Sequence, residues 1–183
     1  GSFHETPFES DLDELDISYM TINIYLNDYI RLKPEPGTIP FDYNGITYYT
    51  VNKEIEKYDH LMLAASKRNI RVAVILLIRT EQQSPNKQVG LMLEYPEMNP
   101  AGAYSMPNMT TNDSLHLYAA AVDFLASRYN RPDEKYGRIH YWIAHNEVDS
   151  GQAWTNAGNK KLPEFLELYM KSMRLIYYTA RKY

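Results

Sequence analysis

Val72-Ala73-Val74-Ile75-Leu76-Leu77-Ile78 is an unbroken apolar run. It is too short for a typical helix and rich in branched side chains, so it predicts a parallel strand over 71–78 buried on both faces. Upstream, Ile17 to Leu26 alternates, with Met20, Ile22, Ile24 and Leu26 on one side and Tyr19, Thr21, Asn23 and Tyr25 on the other; this predicts a strand over 17–26. Between them Pro34, Pro36, Gly37 and Pro40 punctuate a loop, and Gly45 to Tyr49 reads as a short strand or hairpin arm. Ile55, Tyr58, Leu61, Met62 and Ala65 then recur at helical spacing, with Asn52 as N-cap and Lys67-Arg68-Asn69 as a basic last turn and stop. They predict a helix over 53–68.

Downstream, Pro85, Pro96, Pro100, Gly102 and Pro107 interrupt the stretch from Arg79 to Asp113, and a connection this long is usually functional. Leu115, Tyr118, Val122, Leu125 and Tyr129 mark a helix over 113–129, capped by Thr111 or Asn112. Arg138 to Ala144 supports a third strand over 138–145. Pro163 opens a last helix over 163–181 whose Phe165, Tyr169, Met173, Ile176 and Ala180 keep helical spacing. Strands alternating with amphipathic helices predict right-handed βαβ units, a parallel sheet and a single α/β domain over 1–183.

Of the 183 residues, 44% are hydrophobic and 23% charged, enough apolar surface for one core. The net charge is −4 with the signs interspersed, so no surface for tracking phosphates, and no nucleic-acid partner, is expected. The longest apolar run falls far short of the roughly 20 residues that span a bilayer, so no membrane span is expected. Absence of cysteine excludes disulfides and thiolate metal sites but fits cytosol and periplasm equally; a soluble protein is expected, with periplasm or secretion as candidate compartments and none assigned. The Gly1-Ser2 pair reads as a tag remnant. Seventeen tyrosines against five phenylalanines bias the aromatic surface towards rings that both stack and hydrogen-bond.

In parallel α/β folds the loops after strand C-termini build the site. The richest is His145-Asn146-Glu147-Val148-Asp149-Ser150-Gly151-Gln152-Ala153-Trp154. A carboxylate beside an amide at a strand's mouth suits sugar hydrolysis: Glu147 protonates the departing glycosidic oxygen, Asn146 bonds a ring hydroxyl and Trp154 stacks on a sugar face. Asn23, Tyr25 and Asn27 are candidates at the first strand's mouth, as are His145 at the third and Tyr104, Met106 and Asn108 as a wall in the long loop. Glu147 is expected to project into the depression, partly desolvated by Trp142, Trp154 and nearby tyrosines, with a raised pKa.

Tyr136 to Gly158 resembles the acid/base strand of retaining glycoside hydrolases of clan A. More closely, the chain is similar to a bacterial family of glycosidase-like barrels of unassigned function. The similarity is carried by Tyr49-Thr50-Val51-Asn52, Met106-Pro107-Asn108, Phe124-Leu125-Ala126-Ser127-Arg128-Tyr129 and Arg131-Pro132-Asp133. It implies the N-terminal half of a (β/α)8 barrel, with Glu147 as acid/base, Asn146 as substrate-binding amide, a carbohydrate substrate and no cofactor. It also implies an earlier strand upstream of Gly1 and a second carboxylate beyond Tyr183, so that the remainder of the barrel, from a longer chain or a second one, is the expected partner. A non-catalytic carbohydrate-binding barrel and a half-barrel that assembles with another subunit are the alternatives.

Other groupings carry less. His145 and Glu147 share a face if extended, but neither His116 nor His140 is fixed as a third ligand, and no metal is expected. Asp11, Asp13, Glu14 and Asp16 lack an EF-hand's glycine and spacing and read as a solvated lead-in. The methionines at 92, 98, 106 and 109 suggest an adaptable packed loop.

Overall fold

The computed structural model describes residues 8–183, so the Gly1-Ser2 pair lies outside it. The architecture is mixed α/β. Three parallel strands, β1 (Tyr19–Tyr25), β5 (Arg71–Leu77) and β6 (Tyr141–Ala144), form a sheet in the order β1-β5-β6. The register runs Thr21↔Ala73↔Tyr141 and Asn23↔Ile75↔Ile143. The helices α3 (Asn52–Ser66), α5 (Asn112–Tyr129) and α7 (Leu162–Ala180) follow the three strands in turn.

The pleat explains where the core lies. Ile22, Ile24, Val72, Val74 and Leu76 point to one side, where they pack with Ile55 and Met62 of α3, Leu117, Tyr118 and Leu125 of α5, and Ile176 of α7. Residues of the other parity are uncovered at the flanking strands: Tyr19, Thr21, Asn23, Tyr141 and Ile143 are exposed. On that face the small Ala73 lets Tyr19 and Tyr141 meet across β5, their ring centroids 5.3 Å apart. Buried and partly buried polar contacts tie the helices together. Arg128 grips Asp59 through two hydrogen bonds of 2.7 and 2.6 Å, and Tyr118 and Ser172 join α5 to α7 at 2.7 Å.

Several expectations need correction. The Pro34–Pro40 loop runs into a strand, β3 (Thr38–Tyr43), which pairs antiparallel with β4 (Ile46–Val51) and thence with the short β2 (Ile30–Arg31). The Asn44-Gly45 turn that closes this hairpin has positive φ at both residues, a conformation that favours Asn-Gly. The acidic lead-in is exposed but helical (α1, Phe8–Leu15), because Asp13 and Glu9 take the guanidinium of Arg68 at 2.6 and 3.1 Å. Asn52 is the first helical residue of α3 and not its cap, bonding Glu56 instead. The stretch after β5 contains α4 (Lys87–Leu93), capped by Asn86 through the Val89 amide at 3.0 Å. Thr111 caps α5 by accepting from the Ser114 amide, and Pro163 sits in the first turn of α7, both in line with the sequence.

Candidate functional site

The C-terminal ends of β1, β5 and β6 converge on one rim. At the first, Tyr25 is partly buried and its hydroxyl lies 3.4 Å from that of Tyr104. After β5 comes Arg79, whose guanidinium stands 3.8 Å over the Tyr25 ring and grips Asp28 at 2.8 and 3.1 Å. Tyr104 in turn stacks on Trp154, centroids 5.6 Å apart and planes at 28°. Arg79, Tyr25, Tyr104 and Trp154 thus form a row along the rim. Burial and the hydrogen bond with Tyr25 push the Tyr104 phenol up to about 12, so it stays a neutral donor. Beside the row, Asn23, Tyr25, Asp28 and Arg79 line a cavity of about 550 Å3 that Lys57 and Glu54 also line.

Two loops that lie about fifty residues apart are woven together to present Tyr104 and Trp154. The Ser105 amide donates to Ile78 at the end of β5, Met106 to Asn156, and Asn156 back to the Tyr104 carbonyl. The Asn156 side chain, fully buried, makes four bonds. Its Oδ1 accepts from Asn99 and Gly158 at 3.0 and 2.8 Å, and its Nδ2 donates to the carbonyls of Asn99 and Gln152 at 3.2 and 2.5 Å. An aromatic pair fixed in this way loses little further freedom when a ligand docks.

Glu147 heads a short 3-10 turn (Val148–Ser150) just past β6, followed by α6 (Gly151–Trp154). Both His145 (φ 67) and Glu147 (φ 40) are left-handed, so the alternation that would place them on one face is lost. Non-glycine residues in this region cost about 1–3 kcal/mol each and cluster at functional sites. The expected desolvation of Glu147 is not found. Its side chain is exposed, because Trp142 belongs to the helix-facing pleat, Trp154 turns to Tyr104, and the left-handed turn carries Glu147 outward. Asn146 is half-buried, its carbonyl accepting from Thr155 Oγ1 at 2.8 Å.

Four candidates are spent on structure. Asn27 is fully buried because the strand ends at Tyr25 and Leu26–Tyr29 turns helical (α2), swinging the amide inward. There Asn27 Oδ1 accepts from the Arg79 amide at 2.9 Å and Nδ2 donates to Ser84 at 2.8 Å. It positions Arg79. Asn108 closes a turn by accepting from Thr110 at 3.1 and 2.7 Å, and Met106 is buried. His145 is buried against Ser172 at 2.7 Å. His116 pairs with Tyr48, and His140 accepts from the Val72 amide.

Burial lowers the His145 pKa to about 4, against a bond with the Leu76 backbone that acts the other way. The unfolded chain, with the ordinary value near 6.5, therefore binds the proton more readily. Stability due to neutral His145 is present above about pH 6.5 and is lost as pH falls towards 4, on the order of 2–3 kcal/mol over the window. Urea midpoints measured at pH 7 and 4.5 should fall further for the wild type than for His145→Gln; equal falls would show that His145 does not titrate in this way.

Arg79 and Asp28 were missed in the sequence. The signal available was Arg79's place directly after the apolar run of β5, at a strand's mouth. No curated protein and no solved structure matches the chain. A family model described as a family of unknown function, DUF5722, matches residues 3–183, nearly the whole sequence, and the chain belongs to that family.

Proposed function

We propose that the protein is a carbohydrate-active barrel that hydrolyses O-glycosyl bonds, with Glu147 as general acid/base, Asn146 as a hydroxyl-binding amide and Trp154 as a stacking surface. The observation that carries this reading is the convergence, at the C-terminal rim of three parallel strands, of the Glu147 turn with the stapled Tyr25–Tyr104–Trp154 row. Sequential strand order with the long helices packed on one face supports a (β/α)8 barrel, since a doubly wound sheet reverses its order and covers both faces. The bare face around Tyr19, Tyr141 and Ile143 is then the barrel interior, completed by further βα units.

Retaining chemistry needs a second carboxylate about 5–5.5 Å from the first. Asp28 is held by Arg79, so under this proposal the nucleophile comes from one of those further units. The exposure of Glu147 favours a second reading, a barrel that binds carbohydrate without cleaving it. Screening the full-length protein against a panel of aryl glycosides separates the two. Release of phenol, slowed in Glu147→Gln and most for the least acidic phenols, is expected from the hydrolase; saturable glycoside binding without release, at equal affinity in both proteins, would establish the binding reading.

A further inference from the structure

The turn that carries Glu147 has two sides of different chemistry. On one, Trp154 reaches back to Tyr104. On the other, Val148 and Gly151 join Leu162, Phe165, Leu166 and Tyr169 in the wall of an open cavity of about 420 Å3, a volume usual for small-molecule sites. Phe165 fits so closely against Gly151 that a Cβ there would lie 2.7 Å from ring atom Cζ, so α7 and the turn are locked together at this wall. Lys160 also touches the cavity, but its ammonium is taken by Glu97 at 2.6 Å and lies 5.6 Å from the Tyr95 ring centre. Asp149, the remaining charged wall residue, is exposed at the rim. The wall therefore suits an uncharged apolar group.

We infer that this cavity binds the leaving group of the substrate, an aryl or alkyl aglycone, while the sugar lies towards Trp154. The inference rests on Glu147 being the general acid. Such an acid must lie beside the departing oxygen, and the cavity wall begins at the next residue, Val148. As the anomeric C–O bond breaks, its electron pair stays on the oxygen, which takes the Glu147 proton. The anomeric carbon acquires a water oxygen: after a carboxylate intermediate, a proton of that water restores Glu147, whereas in direct attack the opposing carboxylate takes that proton and Glu147 regains one from solvent. The aglycone leaves as a neutral alcohol or phenol, which needs no counter-ion in the wall.

The test uses 4-nitrophenol, kept neutral by working at a pH below its own pKa, titrated into the full-length protein. Leu166→Asp is the cavity variant, and Met173→Asp is a control on the same helix outside the cavity; both positions are exposed among the described residues, and thermal unfolding of each full-length variant checks that the fold is kept. Saturable binding is expected, weakened about tenfold by Leu166→Asp through loss of apolar contact and changed less than about twofold by Met173→Asp. The KM advantage of an octyl over a methyl glycoside should shrink in Leu166→Asp alone. Absent saturation, or equal weakening by both variants, would overturn the cavity. If 4-nitrophenol binds in the expected pattern but no glycoside is cleaved, the acid role of Glu147 fails and the apolar site stands. If glycosides are cleaved with the octyl and methyl KM values alike in wild type and Leu166→Asp, the aglycone assignment fails and the acid role stands.

Discussion

Asn156→Ala should lower stability by about 3 kcal/mol or more, because four backbone partners in Asn99, Gln152 and Gly158 lose a fully buried amide at once. The effect should reach the ligand as well. Asn156 holds together the loops that present Tyr104 and Trp154, so the row would retain its rings but lose its geometry. Urea unfolding reads the stability. Acrylamide quenching in a Trp142→Phe background reads the platform, since Trp154 is then the only tryptophan among residues 1–183. Easier quenching with weakened glycoside binding is expected; unchanged quenching at reduced stability would mean that the stacked pair is positioned by other contacts.

Glu147→Gln should leave the fold intact, since the side chain is exposed and the replacement has the same shape and backbone preference. Hydrolysis in the full-length protein should fall by about 10²–10⁴, the usual contribution of general acid catalysis. Binding should persist, since the amide cannot donate the catalytic proton but occupies the same space. Thermal unfolding run beside the kinetics separates loss of chemistry from loss of fold.

The parallel layer was legible because Ile17–Leu26 alternates as a half-buried strand does, and Val72–Ile78 is apolar without interruption yet too short and too rich in branched residues for a buried helix. The hairpin was half legible: Gly45 to Tyr49 stood out, but the proline at 40 masked its partner strand, although Asn44-Gly45 was the signal to weigh against it. The short α4 was hidden by Gly90, whose lack of a side chain lets Ser84 approach it closely and weakens the helical pattern. At the rim, Trp154, Asn146 and Glu147 could be picked from the segment after the third strand. The true orientation of Asn27 and His145 could not, because alternation was extended past the points where Leu26 turns helical and His145 turns left-handed. The Asn156 staple was illegible for a different reason. It joins residues 99 and 156, and nothing local in either stretch announces the other.

The most direct test of the acid role is the dependence of rate on leaving group, measured for wild type and Glu147→Gln on glycosides whose aglycones span poor to highly acidic phenols. If Glu147 is the general acid, the variant should be slowed most on the poorest leaving groups and least on those that depart without a proton, giving a steeper dependence than the wild type. If the variant cleaves every member of the series at the wild-type rate, Glu147 has no part in the chemistry and the central claim is wrong.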